Sequence, residues 1–138
     1  MGLLIDSTVL ISAERARQSP EELLEALADR WGDVELVVSV MSAAELFHGC
    51  WRADTAARRA RREEFVEAIL AVVPVAPVTL AVARAFGELD AKASAGGRRL
   101  PTSDLLIAAT ALCRGDEVVT GNLRHFRRVP GLVVHELK

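Results

Sequence analysis

The sequence predicts an α/β protein in which a mainly parallel sheet of about four to five strands is flanked by helices in α/β/α layers. Three observations carry this. Short apolar runs such as Leu3-Leu4-Ile5 and Leu36-Val37-Val38 lack the alternation of a half-exposed strand and fit strands buried on both faces. Longer stretches with helical spacing stand between them. Ser, Thr, Pro and Gly punctuate the places where those helices start and stop. A length of 138 residues, 51% hydrophobic and 26% charged, suits one globular domain spanning residues 1–138.

Taken in order, Leu3-Leu4-Ile5 reads as the first strand. Asp6-Ser7-Thr8 follows it and leads into a short helical pattern (Val9, Leu10, Ala13) that ends near Glu14. Ser19-Pro20 marks a helix start with Pro20 at the first helical position; Leu23, Leu24, Leu27 and Trp31 follow helical spacing, and Gly32 stops the run. Residues 35–39 form the second strand. A helix is expected from about Ser42 to Gly49, opened by the capping box Ser42-Ala43-Ala44-Glu45, and a charged helix from about Asp54 to Leu70. The third strand is expected at Ala71–Val75. Thr79 caps a helix reaching about Ser94, which Gly96-Gly97 breaks. Pro101-Thr102-Ser103 opens one that ends near Arg114-Gly115. The fourth and fifth strands are expected at Glu117–Thr120 and Leu132–His135.

Composition excludes several classes. No apolar run approaches the roughly 18 residues of a membrane span, and the opening residues carry no basic or signal-like stretch, so a cytoplasmic protein with no membrane partner is expected. Cys50 and Cys113 lie far apart and form no C-x-x-C pair, which argues for reduced thiols. A net charge of −2 provides no global field for nucleic acid, so any such partner must be read from local patches.

The chemistry gathers at strand ends. Asp6 ends the first strand, Glu45 lies in the first turn of the helix after the second, Asp104 begins the helix opened by Pro101, and Asn122 follows the fourth strand. In an open α/β sheet, ligands bind in the crevice at the carboxyl ends of the strands. Singly, each residue has a plain structural reading. Asp6 could cap a helix, Glu45 could complete the capping box, Asp104 could complement a helix dipole and Asn122 could sit in a turn. Together, three acids in one crevice repel, and at least one should hold its proton more tightly than usual unless a cation is present. Mg²⁺, with Mn²⁺ as a substitute, suits carboxylate oxygens. Such ions acidify water, orient a phosphodiester and stabilise a leaving oxygen. No cluster of Cys and His points to zinc.

At this point the residues resemble the VapC-type PIN domains. Leu3-Leu4-Ile5-Asp6-Ser7-Thr8 is similar to their opening strand, and Ser42-Ala43-Ala44-Glu45-Leu46-Phe47-His48-Gly49 to their second motif. Residues 100–111, Leu-Pro-Thr-Ser-Asp-Leu-Leu-Ile-Ala-Ala-Thr-Ala, resemble the third motif most closely; Val118 to Phe126 resemble the fourth, and Pro130 to Val134 the last strand. The resemblance implies a PIN fold and Mg²⁺- or Mn²⁺-dependent endoribonuclease activity, in which water attacks phosphorus in line and leaves a 5′-phosphate and a 3′-hydroxyl. It implies metal binding at Asp6, Glu45 and Asp104. Asn122 stands where many PIN domains carry a fourth acid; its amide oxygen can hold a water but adds no charge, so a second metal site should be weak. Thr8 and Thr120 are expected to hydrogen-bond the carboxylates. The resemblance also implies the toxin half of a VapBC-like pair, an RNA substrate, a homodimer, and a VapB-like antitoxin bound in an apolar groove between early helices.

The remaining features divide. The arginines Arg52, Arg58, Arg59, Arg61 and Arg62 read better as a solvated helix face paired with Glu63, Glu64 and Glu67 than as an RNA track. Arg98, Arg99, Arg124 and His125 stand nearer the third and fourth motifs and are the candidate RNA contacts. Glu45-x-x-His48 is half of a di-iron motif with no second copy. Trp31 and Trp51 fit a core or an interface better than base stacking. A haloacid-dehalogenase phosphatase would need a second Asp where Thr8 stands, and a receiver domain a suitably placed late lysine that is missing. The alternative to an enzyme is a catalytically weak PIN-like binding module, with Asn122 as its support.

Overall fold

The structure, a computed structural model, describes residues 2–137. The elements run β1 (Gly2–Ile5), α1 (Ser7–Arg15), α2 (Pro20–Trp31), β2 (Glu35–Ser39), α3 (Val40–Trp51), α4 (Ala56–Val72), β3 (Val75–Ala76), α5 (Leu80–Ala95), α6 (Thr102–Arg114), β4 (Glu117–Thr120), α7 (Leu123–Phe126) and β5 (Val134–Glu136). The strands form one sheet in the order β3-β2-β1-β4-β5, and every neighbouring pair is parallel. The layered α/β expectation holds.

β1 sits at the centre, with Leu4 opposite Val37 on one side and Val118 on the other. Successive side chains alternate between faces. Leu3, Ile5, Val38 and Val119 join Leu10, Leu27 and Ile69 from α1, α2 and α4 in one core. Leu4, Val37 and Val118 join Ile107 and Ala108 of α6 in the other. This two-faced burial is why the strands read as continuous apolar runs.

Several helix ends follow the chemistry read from the sequence. Ser19 and Glu22 form a reciprocal capping box at α2, a feature worth about 1 kcal/mol. The Thr79 hydroxyl accepts from Val82 N at α5. Gly115 closes α6 at φ 71°, where a Cβ would strain the backbone.

Four expectations are corrected. The N-cap of α3 lies three residues earlier than expected: Ser39, not Ser42, caps it by accepting from Met41 N. Ser42 is buried inside the helix, so there is no capping box, and Glu45 falls in the second turn. Helix α4 runs on through Val72, and β3 is only Val75–Ala76, because Pro74 and Pro77 on either side cannot donate to a strand ladder. β5 begins at Val134, after the turn at Gly131 (φ 79°). The short helix α7 was not expected.

From β1 the chain moves to β2 on one side and later to β4 on the other, so the carboxyl ends of β1 and β4 flank the switch point of the sheet. Asp6 directly follows β1 there, and Thr120 is the last residue of β4.

Candidate active site

Asp6 is held in place by backbone and side chain together. Its N–H donates to Val119 O at 2.9 Å, which extends the β1–β4 ladder by one residue. The residue is 2% exposed. Thr8 Oγ1 donates to Asp6 Oδ2 at 2.7 Å and Thr120 Oγ1 donates to the same oxygen at 2.8 Å. Each hydroxyl has one proton, so the 3.3 Å approach of the two threonine oxygens is a packing contact. Both hydroxyls accept in turn from backbone: Gly121 N donates to Thr8 Oγ1 and Asn122 N to Thr120 Oγ1, each at 2.8 Å. The loop after β4 thereby orients the clamp that orients Asp6.

The other oxygen is different. Asp6 Oδ1 is buried and has no hydrogen-bond partner among the described residues. A buried, unmatched carboxylate oxygen is costly unless a cation or water meets it. Burial raises the proton affinity of Asp6 above the usual carboxylate range; the threonine hydroxyls oppose the rise, and the charge of Asp104 adds to it.

Glu45 reaches the crevice from α3, where it accepts from Ser7 Oγ at 3.1 Å. Burial is again the main cause of a raised pKa, moderated by Ser7 and reinforced by the charges of Asp6 and Asp104. Asp104, in the first turn of α6, is 15% exposed and approaches His125 Nδ1 at 2.7 Å through Oδ2. Asn122 Nδ2 lies 2.8 Å from the same ring nitrogen. A ring nitrogen carries either a proton or a lone pair, not both. Where Nδ1–H donates to the carboxylate, the Asn122 amide N–H cannot also donate to Nδ1, and that contact is packing; Nε2 then has no hydrogen bond among the described residues.

The structure therefore brings Asp6, Glu45, Asp104, Asn122, Thr8 and Thr120 into one network, with the mutual repulsion expected of clustered acids. Among the described residues no three His, Cys, Asp or Glu groups form a ready-made cage; Asp104 turns toward His125. The donor chemistry still suits a hard divalent ion, because the unpartnered Asp6 Oδ1 belongs to a carboxylate that is coupled electrostatically to Asp104 and Glu45.

The candidate RNA contacts separate. Arg99 is held by Asp90, with both contacts at 3.2 Å, and His125 faces into the network. Arg98 and Arg124 are exposed and have no ion pair among the described residues. The four α4 arginines are all partnered: Arg58 with Asp54, Arg59 with Glu63, Arg61 near Glu14, and Arg62 with Gly49 O. That agrees with a solvated face, although Glu14 and Asp54 replace Glu64 and Glu67. His48 is exposed and makes no ion pair with an acid among the described residues. Trp31 is partly buried against the first core, whereas Trp51 is 71% exposed beneath Arg59, which rules out the core for Trp51. The sequence reading missed Ser7 and the Gly121 amide; the adjacency of Ser7 to Asp6 was its only signal.

Comparison with known proteins gives a consistent picture. The PIN domain family matches residues 3–132. Ribonuclease VapC10 of Mycobacterium tuberculosis is 34% identical over 124 residues, covering 90% of this chain and 85% of the relative. Ribonuclease VapC1 of Rickettsia felis is 26% identical over 135 residues, covering 97% and 95%. Among solved structures, VapBC2 from Rickettsia felis bound to a promoter DNA fragment superimposes with a TM-score of 0.87 at 20% identity, covering 100% of both chains. VapBC-5 from Mycobacterium tuberculosis, a member of the VapBC toxin–antitoxin family, gives 0.72 at 27% identity, covering 99% of this chain and 97% of that one.

Proposed function

This chain belongs to the PIN-domain family, and from that premise we propose that it is a divalent-metal-dependent endoribonuclease, the toxin of a VapBC-type toxin–antitoxin pair. The observation that carries the reading is Asp6: a buried carboxylate at the switch point of a parallel sheet, one oxygen clamped by two threonines and the other without a partner among the described residues.

Asp6, Glu45 and Asp104 would hold Mg²⁺ or Mn²⁺. The ion would acidify a water and neutralise charge on the phosphodiester. The chain's own groups do the positioning. Thr8 and Thr120 lock the Asp6 rotamer, so Oδ1 keeps one direction. Ser7 holds Glu45 across the α1–α3 gap, and His125 fixes Asp104 while Asn122 contributes an uncharged polar edge. The free Nε2 of His125 can exchange a proton with a phosphate oxygen or leaving hydroxyl near Asp104. Arg98 and Arg124 supply the local positive charge that a net charge of −2 withholds globally.

The antitoxin would occupy the groove between α1, α3 and α4. Leu10, Ile11, Leu46 and Phe65 line a small cavity of about 90 Å³ there. Glu14 also lines this groove, with its buried Oε1 3.8 Å from Arg61 Nε. A homodimer and a cytoplasmic location are part of the same reading; no helix among the described residues is long and apolar enough to cross a membrane.

The test is incubation of total bacterial RNA with the purified, antitoxin-free chain in Mg²⁺, Mn²⁺ or EDTA, beside Asp6→Asn and Asp104→Asn. Discrete cuts that need metal and vanish in both variants are expected. A folded protein that cuts no RNA with either ion favours the binding module; cleavage that survives both substitutions removes these residues from the chemistry.

A further inference from the structure

A second cavity, of about 210 Å³, lies between the end of α5, the start of α6 and the segment after α7. Leu89, Leu100, Leu105, Val129 and Pro130 form its apolar walls. Lys92, Arg98 and Arg128 stand around it. We propose that this cavity is a nucleobase pocket, which takes one base of a single RNA strand next to the cleaved phosphate while Arg98 and Arg128 grip the neighbouring phosphates.

Position is the first argument. Leu105 follows Asp104 in the first turns of α6, and the segment carrying Arg128 and Val129 follows the helix capped by Asn122. The pocket therefore adjoins the acidic network in sequence, through the first turns of α6 and the segment after α7, and under this proposal the strand runs from Asp104 to its mouth. Size is the second. The volume falls below the roughly 300–1,000 Å³ of sites for drug-sized ligands, and suits one planar ring rather than a whole cofactor.

Charge is the third. Arg98 and Arg128 are exposed and have no ion pair among the described residues, whereas Lys92 is held by Glu88 at 2.9 Å and Arg99 by Asp90. Unpaired guanidinium groups beside an apolar slot are complementary to a nucleotide, since they bond phosphate in fork geometry and stack on a base face. An apolar peptide would bury the walls but leave both arginines unmatched. Arg124 and Arg127 line an open hollow with Gly121, Asn122 and Glu136 on the other side of α7. The pocket would then set a base preference at one position beside the cut.

This inference rests on the ribonuclease reading for its location relative to the cut, but it can be tested without cleavage. A short single-stranded RNA carrying 2-aminopurine at each position in turn is titrated into the full chain in EDTA. Ala93→Leu, which fills the cavity from α5, is compared with Arg98→Ala/Arg128→Ala, whose side chains are exposed; circular dichroism checks that both fold. The wild type is expected to change the emission of one position, and Ala93→Leu to abolish that change. The double arginine variant should weaken binding on the order of tenfold and flatten its salt dependence by about two charges. Uniform emission changes, or changes that survive both folded variants, overturn the pocket. A shift of oligomeric state in Ala93→Leu, seen by light scattering, also overturns it in favour of a contact between copies of the chain. A pocket signal from a protein that cuts no RNA with Mg²⁺ or Mn²⁺ upholds the pocket and defeats the ribonuclease reading.

Discussion

Two buried aspartates stand at opposite edges of the same sheet. Asp116, just before β4, is 8% exposed, and both of its oxygens are matched: Gly2 N donates to Oδ1 at 3.0 Å and Arg114 Nε to Oδ2 at 2.8 Å. Asp6, just after β1, forms no ion pair among the described residues, is coupled to two further acids, and has one buried oxygen without a hydrogen-bond partner among the described residues. The residue type and the burial are the same. At the amino-terminal edge the charge is compensated within the fold and ties β1 to α6 and β4. At the carboxyl-terminal edge the compensation is incomplete, and a buried charge left in that state needs a ligand. Incomplete satisfaction, rather than acidity or burial, separates Asp6, the proposed metal ligand, from Asp116.

The largest expected effect breaks this contrast on the Asp6 side. Asp6→Asn should lower RNA cleavage by at least about 10³-fold, the scale of a lost metal ligand, while the metal-free variant unfolds at the same temperature as the wild type or higher. Chemical denaturation beside a cleavage assay checks both halves. Asp116→Ala should do the opposite. It strands the Gly2 N–H and costs about 1–3 kcal/mol of stability, with activity per folded molecule unchanged. Loss of activity in Asp116→Ala without loss of stability would erase the distinction between the two edges.

The clamp gives the next effect. Thr8→Val or Thr120→Val removes one donor from Asp6 Oδ2 and one acceptor from the loop after β4. A 10–100-fold loss of metal affinity or activity is expected, with an accompanying stability loss near 1 kcal/mol. Serine at either position keeps the hydroxyl and should recover most of both.

The smallest effect concerns pH. The folded-state pKa of Asp6 is raised above its unfolded value. The stability associated with such a group is fully present below the unfolded pKa and is lost as pH rises through the folded one. Any stability advantage of metal-free Asp6→Asn over the wild type should therefore be greatest at neutral pH and shrink as the medium is acidified. Added Mg²⁺ should reduce it at neutral pH by stabilising only the wild type. An advantage that grows on acidification would contradict the stated direction.

Much of this was legible in the chain. Leu3-Leu4-Ile5 could be read as a central strand because both faces of β1 are covered, and Gly115 and Thr79 end and begin helices by local chemistry that depends on few neighbours. Local chemistry also misled. Ser42 and Glu45 have the spacing of a capping box, but Ser39 caps the helix one turn earlier, and Glu45 turns to Ser7, 38 residues away. The two-residue β3 and the late β5 are edge strands, where pairing on one side leaves a weak pattern. The separation of Arg98 from Arg99 was not legible, since it depends on Asp90 approaching from α5. The acids could be listed from the sequence, but the unmatched Oδ1 of Asp6 is a property of the fold.

The most direct test of the central claim is calorimetric titration of Mn²⁺ into the metal-free chain, with Asp6→Asn and Asp116→Asn in parallel. Binding in the wild type and in Asp116→Asn, with its loss in folded Asp6→Asn, is the predicted result. Equal binding by Asp6→Asn and the wild type would contradict it, because the unmatched carboxylate at the switch point would then not be where the ion is held.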